Sequence, residues 1–212
     1  MAENVMKTGT TTLGIVCKDG IVLAADKRAT AGYLIAQKDT EKIAILTDNI
    51  AVTMAGTASD GQMLIRLTRS ELKLRTIRNG IDSSVKEAAN LMARLVYSNI
   101  RRPSMIPGVS HFVLAGYDES GHYLYDIFPD GTISLCKDYI SSGSGSVMAY
   151  GVLETMYKQD MTLEEGISMA IKCINAAISR DIASGNGLDI FTVTAEGAKQ
   201  VKHEMIDYKI KE

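Results

Sequence analysis

The chain has 212 residues, of which 46% are hydrophobic and 23% charged, with a formal net charge of −2. That profile fits one folded domain that buries about 70% or more of its unfolded surface. So small a charge gives no electrostatic case for nucleic acid or an anionic membrane as partner, and no apolar run approaches the ~20 residues that span a bilayer. Cys17, Cys136 and Cys173 lie far apart without a CxxC pair, and His111, His122 and His203 are isolated. No disulfide framework, metal site or cofactor is expected, and cysteine usage of this kind favours a reducing cytoplasm.

Residues 1–9 form a stub with one lysine and no hydrophobic stretch, which is not a secretory signal. Strand patterns begin at once after it. Thr11 to Cys17 and Ile21 to Asp26 are apolar, β-branched runs joined by Lys18-Asp19-Gly20, whose Asp-Gly marks a hairpin. Tyr33 to Gln37, Lys42 to Leu46 and Ile50 to Ala55 read as further strands. From Ser59 to Asn79 the period becomes helical, with Met63, Leu64, Leu67, Leu74 and Ile77 as the expected apolar positions and Gly80 as the stop. Asp82 and Ser83 offer N-caps for a second helix, with the stripe Val85, Ala89, Met92, Val96 and Ile100.

Strands return at His111 to Tyr117, His122 to Phe128 and Thr132 to Lys137, separated by the turns Glu119-Ser120-Gly121 and Pro129-Asp130-Gly131. The loop Ser141 to Ser146 leads into a helix over Val147 to Tyr157. A longer helix starts at Thr162, whose spacing to Glu165 fits a capping box. Its face is Leu163, Ile167, Ala170, Ile171, Ile174 and Ile178. Asp189 to Ala195 and Lys199 to Met205 close the chain as a hairpin. Strands, two helices, strands, two helices and strands, joined by short turns, predict an α+β fold of antiparallel sheets with helix layers.

The boundary Gly9-Thr10 is a candidate scissile bond. Cut there, Thr10 carries a free α-amine beside its own hydroxyl, so a single residue supplies both nucleophile and base. Against this, Thr10-Thr11-Thr12 simply suits the start of a strand. Asp26 ends a very apolar run and Lys42 opens another. Charges at strand ends usually face solvent, but turned inward near Thr10 they would pair beside the nucleophile. The small residues of Gly143-Ser144-Gly145-Ser146 either cradle an anion at a helix N-terminus or let another segment come close.

Several of these stretches together resemble one family. Thr10-Thr11-Thr12-x-Gly14, Leu23 to Thr30, Lys42, Met54-Ala55-Gly56, Gly143 to Ser146, Tyr150 to Glu154 and Arg180 to Gly185 are similar to proteasome β subunits of the archaeal core-particle type, over nearly the whole chain from Thr10. The resemblance implies an N-terminal-nucleophile hydrolase: a four-layer αββα sandwich with two antiparallel sheets between helix layers. Residues 1–9 become a propeptide and 10–212 the hydrolase domain. It implies Thr10 as nucleophile, its α-amine as base, Lys42 tuning the proton equilibrium and Asp26 holding Lys42. The N–H of Gly56 would stabilise the oxyanion, and Ser144, Asp181 and Ser184 would support the nucleophile.

Substrate backbone would pair at Thr30 and Ala58, and Ala29, Thr40, Met54 and Ala58 would line the primary specificity pocket. A methionine floor with small walls predicts chymotrypsin-like cleavage. The Thr10 hydroxyl would release the leader by attacking the Gly9 carbonyl, so a chain that keeps residues 1–9 is an inactive precursor. Implied partners are β subunits in a heptameric ring, α-subunit rings, and unfolded polypeptides fed by an ATPase in the cytoplasm. Asn186 departs from the Gly-Gly that some relatives carry after the late serine. Three other readings exist: a bacterial two-ring ATP-dependent peptidase, which the Gly145 to Glu154 and Arg180 to Gly185 stretches fit less well; an inactive ring subunit, which would commonly lack Thr10 or Lys42; and a phosphate-binding protein using the Gly143 to Ser146 loop.

Overall fold

A computed structural model describes residues 9–208 of the chain, so of the expected propeptide 1–9 all but Gly9 lies outside the described residues. The chain opens with a hairpin of β1 (Thr12–Cys17) and β2 (Gly20–Asp26), followed by a small hairpin of β3 (Ala29–Ala31) and β4 (Leu34–Gln37). A third pair, β5 (Ile43–Thr47) and β6 (Ile50–Gly56), leads into α1 (Ala58–Asn79) and α2 (Val85–Ile100). Then come β7 (Ser110–Asp118), β8 (Gly121–Ile127), β9 (Ile133–Cys136) and β10 (Tyr139–Ser142). Two helices, α3 (Ser146–Met156) and α4 (Leu163–Arg180), precede the closing hairpin of β11 (Gly187–Thr194) and β12 (Gly197–Met205).

Two five-stranded antiparallel sheets result, ordered β10-β1-β2-β11-β12 and β5-β6-β7-β8-β9. Three apolar layers hold them. Leu13, Val22, Ile174 and Ile190 join the first sheet to α3 and α4, and Val52, Leu64, Met92 and Phe112 join the second to α1 and α2. Between the sheets, Ile21, Leu23, Val113, Leu124 and Val193 interlock. Every strand in the middle of this stack is buried on both faces, which is why Ile21 to Ala25 reads as an unbroken apolar run. Each such large side chain contributes about 1.5–3 kcal/mol of burial. This is the four-layer αββα arrangement that the resemblance implies.

The helices follow their local signals to different degrees. At α4 the Thr162 hydroxyl accepts from the Glu165 N–H, and the Glu165 carboxylate accepts from the Thr162 N–H, the reciprocal box expected there. At α2 the cap is Ser84, not Asp82 or Ser83, because only Ser84 stands three residues before a glutamate, Glu87. Gly80 ends α1 in the left-handed conformation with φ of 72°. The buried face of α1 differs from the expected stripe. Gly61, Leu64, Ile65, Thr68 and Leu72 face the core, while Leu67, Leu74 and Ile77 are exposed. Thr68 is tolerated inside because its hydroxyl donates to the Leu64 carbonyl at 2.8 Å. Two short strands, β3 and β10, lie outside the expected runs, and β10 is recruited by pairing of Thr12 with Ser142 rather than by any period of its own. Among the described residues, no helix is long and apolar enough to cross a membrane.

Candidate active site

The last residue of β2 and the residue before β5 meet in the interior. Asp26 is fully buried and Lys42 only 4% exposed, and the Lys42 ammonium donates to Asp26 Oδ1 at 2.6 Å. The same Oδ1 accepts from the Thr11 N–H at 2.9 Å, while Oδ2 accepts from the N–H groups of Arg28 (3.0 Å) and Gly185 (2.9 Å). A buried carboxylate with four donors is well satisfied in its charged form. Burial pushes the Lys42 ammonium below its ordinary pKa, and Asp26 opposes that shift. The inward of the two orientations open to these charges is therefore the one adopted.

Thr10 sits just ahead of β1, 7% exposed. Its hydroxyl donates to the Gly9 carbonyl at 2.7 Å. Its N–H donates to Ser144 Oγ at 3.2 Å, and Ser144 in turn donates to Asp181 Oδ2 at 2.6 Å. Ser184 donates to the same Oδ2 at 2.6 Å. With that hydrogen committed, the 2.6 Å contact between Thr11 Oγ1 and Ser184 Oγ has Thr11 as donor. One carboxylate at the end of α4 thus organises hydroxyls on both sides of the Thr10-Thr11 peptide. The glycine loop before α3 acts by close approach: a Cβ on Gly143, where φ is +92°, would stand 2.0 Å from the Thr10 carbonyl oxygen. Gly9 is equally confined, since a Cβ there would meet Ala183 Cβ at 1.7 Å.

A cleft opens at Thr10. Gly9, Thr30, Lys42 and Gly56 line it together with Ala29, Thr40, Met54 and Ala58, so the twelve residues expected at the site divide into two connected groups. Thr10, Asp26, Lys42, Ser144, Asp181 and Ser184 form the hydrogen-bonded group, and Gly56 with the remaining five forms the cleft. The Gly9 N–H donates to Thr30 Oγ1 at 3.0 Å, which anchors the chain entering Thr10 along one cleft wall.

Some of the surroundings carry no local sequence signal. Arg28 Nε donates to Asn186 Oδ1 at 2.7 Å, and Asn186 adopts φ of 66°, a conformation that asparagine tolerates better than most residues. The departure at Asn186 thus ties the turn after Ser184 to the strand end carrying Asp26. Lys27 is also buried, at 1% exposure, and contacts Asp189 and Asp39. A buried lysine one residue after a buried aspartate could have been suspected only from the apolar run ahead of it, because its partners lie 12 and 162 residues away.

A proteasome subunit family model matches residues 6–193. Proteasome subunit beta of Methanocaldococcus vulcanius is 39% identical over 199 residues, covering 93% of this chain and 87% of the relative. The protein of that name from Ferroglobus placidus is 41% identical over 199 residues, covering 94% and 93%, and that from Methanobrevibacter ruminantium is 40% identical over 200 residues, covering 94% and 92%. Identity at this level along nearly the full length of each relative carries the αββα fold with it, and the chain belongs to the proteasome subunit family, among its beta subunits.

Proposed function

We propose that this chain is a catalytic beta subunit of a proteasome core particle, a threonine endopeptidase that becomes active when residues 1–9 are removed. The observation that carries the reading is the buried Thr10 hydroxyl on the Gly9 carbonyl, in a cleft it shares with Lys42. While Gly9 is attached, the Thr10 nitrogen is an amide and cannot serve as base. Attack of Thr10 Oγ on the Gly9 carbonyl carbon moves the leader acyl group from nitrogen to oxygen: the Gly9-Thr10 amide bond breaks, the Oγ proton passes to the nitrogen, and water then hydrolyses the resulting ester, which frees residues 1–9 and leaves an α-amine on Thr10. Such an amine has a reference pKa of about 7.7–8.0, and a cationic Lys42 nearby lowers it, so the neutral form is available at pH 7.

In the mature subunit, Thr10 Oγ attacks the substrate carbonyl and its proton passes to the α-amine, through a water. The Gly56 N–H stabilises the resulting oxyanion, the amine returns the proton to the leaving nitrogen, and water then hydrolyses the Thr10 ester. Asp26 keeps Lys42 charged and oriented, while Asp181 with Ser144 and Ser184 fixes the main chain at Thr10. Extended substrate pairs with backbone at Thr30 and Ala58. The pocket of Ala29, Thr40, Met54 and Ala58 takes a large apolar side chain, giving chymotrypsin-like preference.

Assembly fits the same reading. Leu67, Leu74, Ile77 and Ile81 leave an apolar face beside and beyond α1 exposed in a single chain, Ile77 and Ile81 at 70% and 72%. Beta-subunit rings, seven-membered and stacked on alpha-subunit rings in a cytoplasmic particle fed by an ATPase, would cover such surfaces and enclose the cleft. The test is a panel of peptides on the leader-free, assembled protein. Faster turnover after Tyr, Phe or Leu than after Glu, Arg or Gly is expected. Better turnover of acidic or basic residues would contradict the pocket assignment.

A further inference from the structure

Lys27 is among the largest fully buried side chains of the described residues, and the peptidase mechanism gives it no part. Its ammonium donates to Asp189 Oδ2 at 2.6 Å and contacts Asp39 Oδ1 at 2.8 Å. Burial alone would lower its pKa, but the hydrogen bonds of Asp189 and Asp39 outweigh that and raise it. The two carboxylates differ. Asp189 is a buried residue of β11 whose other oxygen is held by Gln200 and His203, whereas the Asp39 side chain is 61% exposed and belongs to the segment between β4 and β5.

That segment runs from Lys38 to Lys42, and its last four residues are Asp39-Thr40-Glu41-Lys42. Thr40 lines the cleft and its N–H donates to the Lys27 carbonyl at 2.9 Å. Lys42 closes the segment on Asp26. Two consecutive residues at the end of β2 therefore hold both ends of one four-residue wall with ion pairs of opposite polarity: Asp26 grips Lys42 and Lys27 grips Asp39. The anchor is Asp189 on the neighbouring strand, because β11 pairs with β2 over this stretch. Among the described residues, it is Lys27 that ties the Asp39 side chain to the body of the fold.

We propose that Lys27 is a positioning residue, set against Asp189, whose ion pair with Asp39 fixes the Thr40 wall of the substrate cleft and so sharpens selection of the side chain entering it. The inference rests on the peptidase reading for its kinetic consequence but not for its structural one. The experiment compares Asp39→Asn, which leaves no buried charge unpaired, with Lys27→Met and with the remote surface variant Glu196→Gln. In the assembled, processed protein, Asp39→Asn raises KM for a peptide cleaved after Tyr by about three- to fivefold, the size of a half-exposed ion pair. Its kcat stays within about twofold, and its preference for Tyr over Ala at the cleaved position falls.

Amide hydrogen exchange reads the clamp without turnover. Protection of the Thr40 N–H falls at least about threefold in Asp39→Asn and Lys27→Met and is unchanged in Glu196→Gln. Unchanged protection in Asp39→Asn overturns the proposal, whether or not the protein cleaves peptides. Lost protection with KM and preference both unchanged overturns the role in selection. Absence of peptidase activity in the wild type would instead count against the functional reading, with the exchange result still deciding the clamp.

Discussion

Asp26 accepts from one ammonium and three backbone N–H groups, and its partners come from four separate stretches of chain. Breaking a buried pair by removing one partner costs about 3–5 kcal/mol. Lys42→Met is expected near the lower end, about 3 kcal/mol, because three N–H donors remain to the carboxylate. The loss is measured by urea unfolding. Its pH dependence has a definite sign. Burial holds the folded-state pKa of Lys42 below the ordinary 10.5, so between the two values the unfolded chain binds the extra proton. The stability Lys42 contributes therefore grows as pH rises through that window, and the gap between wild type and Lys42→Met should widen towards pH 10.5. A gap that narrows instead would place the folded-state pKa above the ordinary value.

The helices show where local signals suffice. Thr162 and Glu165 are three residues apart and cap α4 in the way their spacing predicts, so Thr162→Ala should cost about 1 kcal/mol and lower Tm by about 2–4 °C in calorimetry. The same spacing selects Ser84 through Glu87 at α2, where a choice among polar residues by type alone falls on Asp82 or Ser83. For α1 no local rule decides, because its apolar residues run round the helix and packing on β5 to β7 selects Leu64, Ile65 and Leu72 over Leu67 and Leu74. The site was legible to the extent that it lies in short motifs: Thr10, Asp26 and Gly143 to Ser146 each sit in one. The Lys27, Asp39 and Asp189 cluster joins three isolated charges across the fold, and no period or spacing in the chain announces it. Strand β10 is invisible for a similar reason, since its four residues acquire strand geometry only from β1.

At the scale of the whole molecule, two helix layers isolate the sheets from water so thoroughly that buried thiols resist ionisation. Burial pushes Cys17, in β1, and Cys173, in α4, each up to about 12 from an ordinary 9.0. A raised folded-state pKa means stability that is complete below pH 9.0 and is lost as pH climbs from there towards about 12. Urea unfolding at rising alkaline pH should show this fall, and Cys17→Ala should flatten it. The Thr10 hydroxyl, just ahead of β1, meets the carbonyl of its own preceding peptide bond. On the proposed reading, the acyl shift that turns the amide nitrogen into a base also hands the leader to water as an ester. Intact-mass analysis of the assembled protein beside its Thr10→Ala variant tests this most directly. The account predicts a wild-type chain beginning at Thr10 and a variant that keeps residues 1–9 and cleaves no peptide. A variant that sheds its leader and cleaves peptides at the wild-type rate would contradict it.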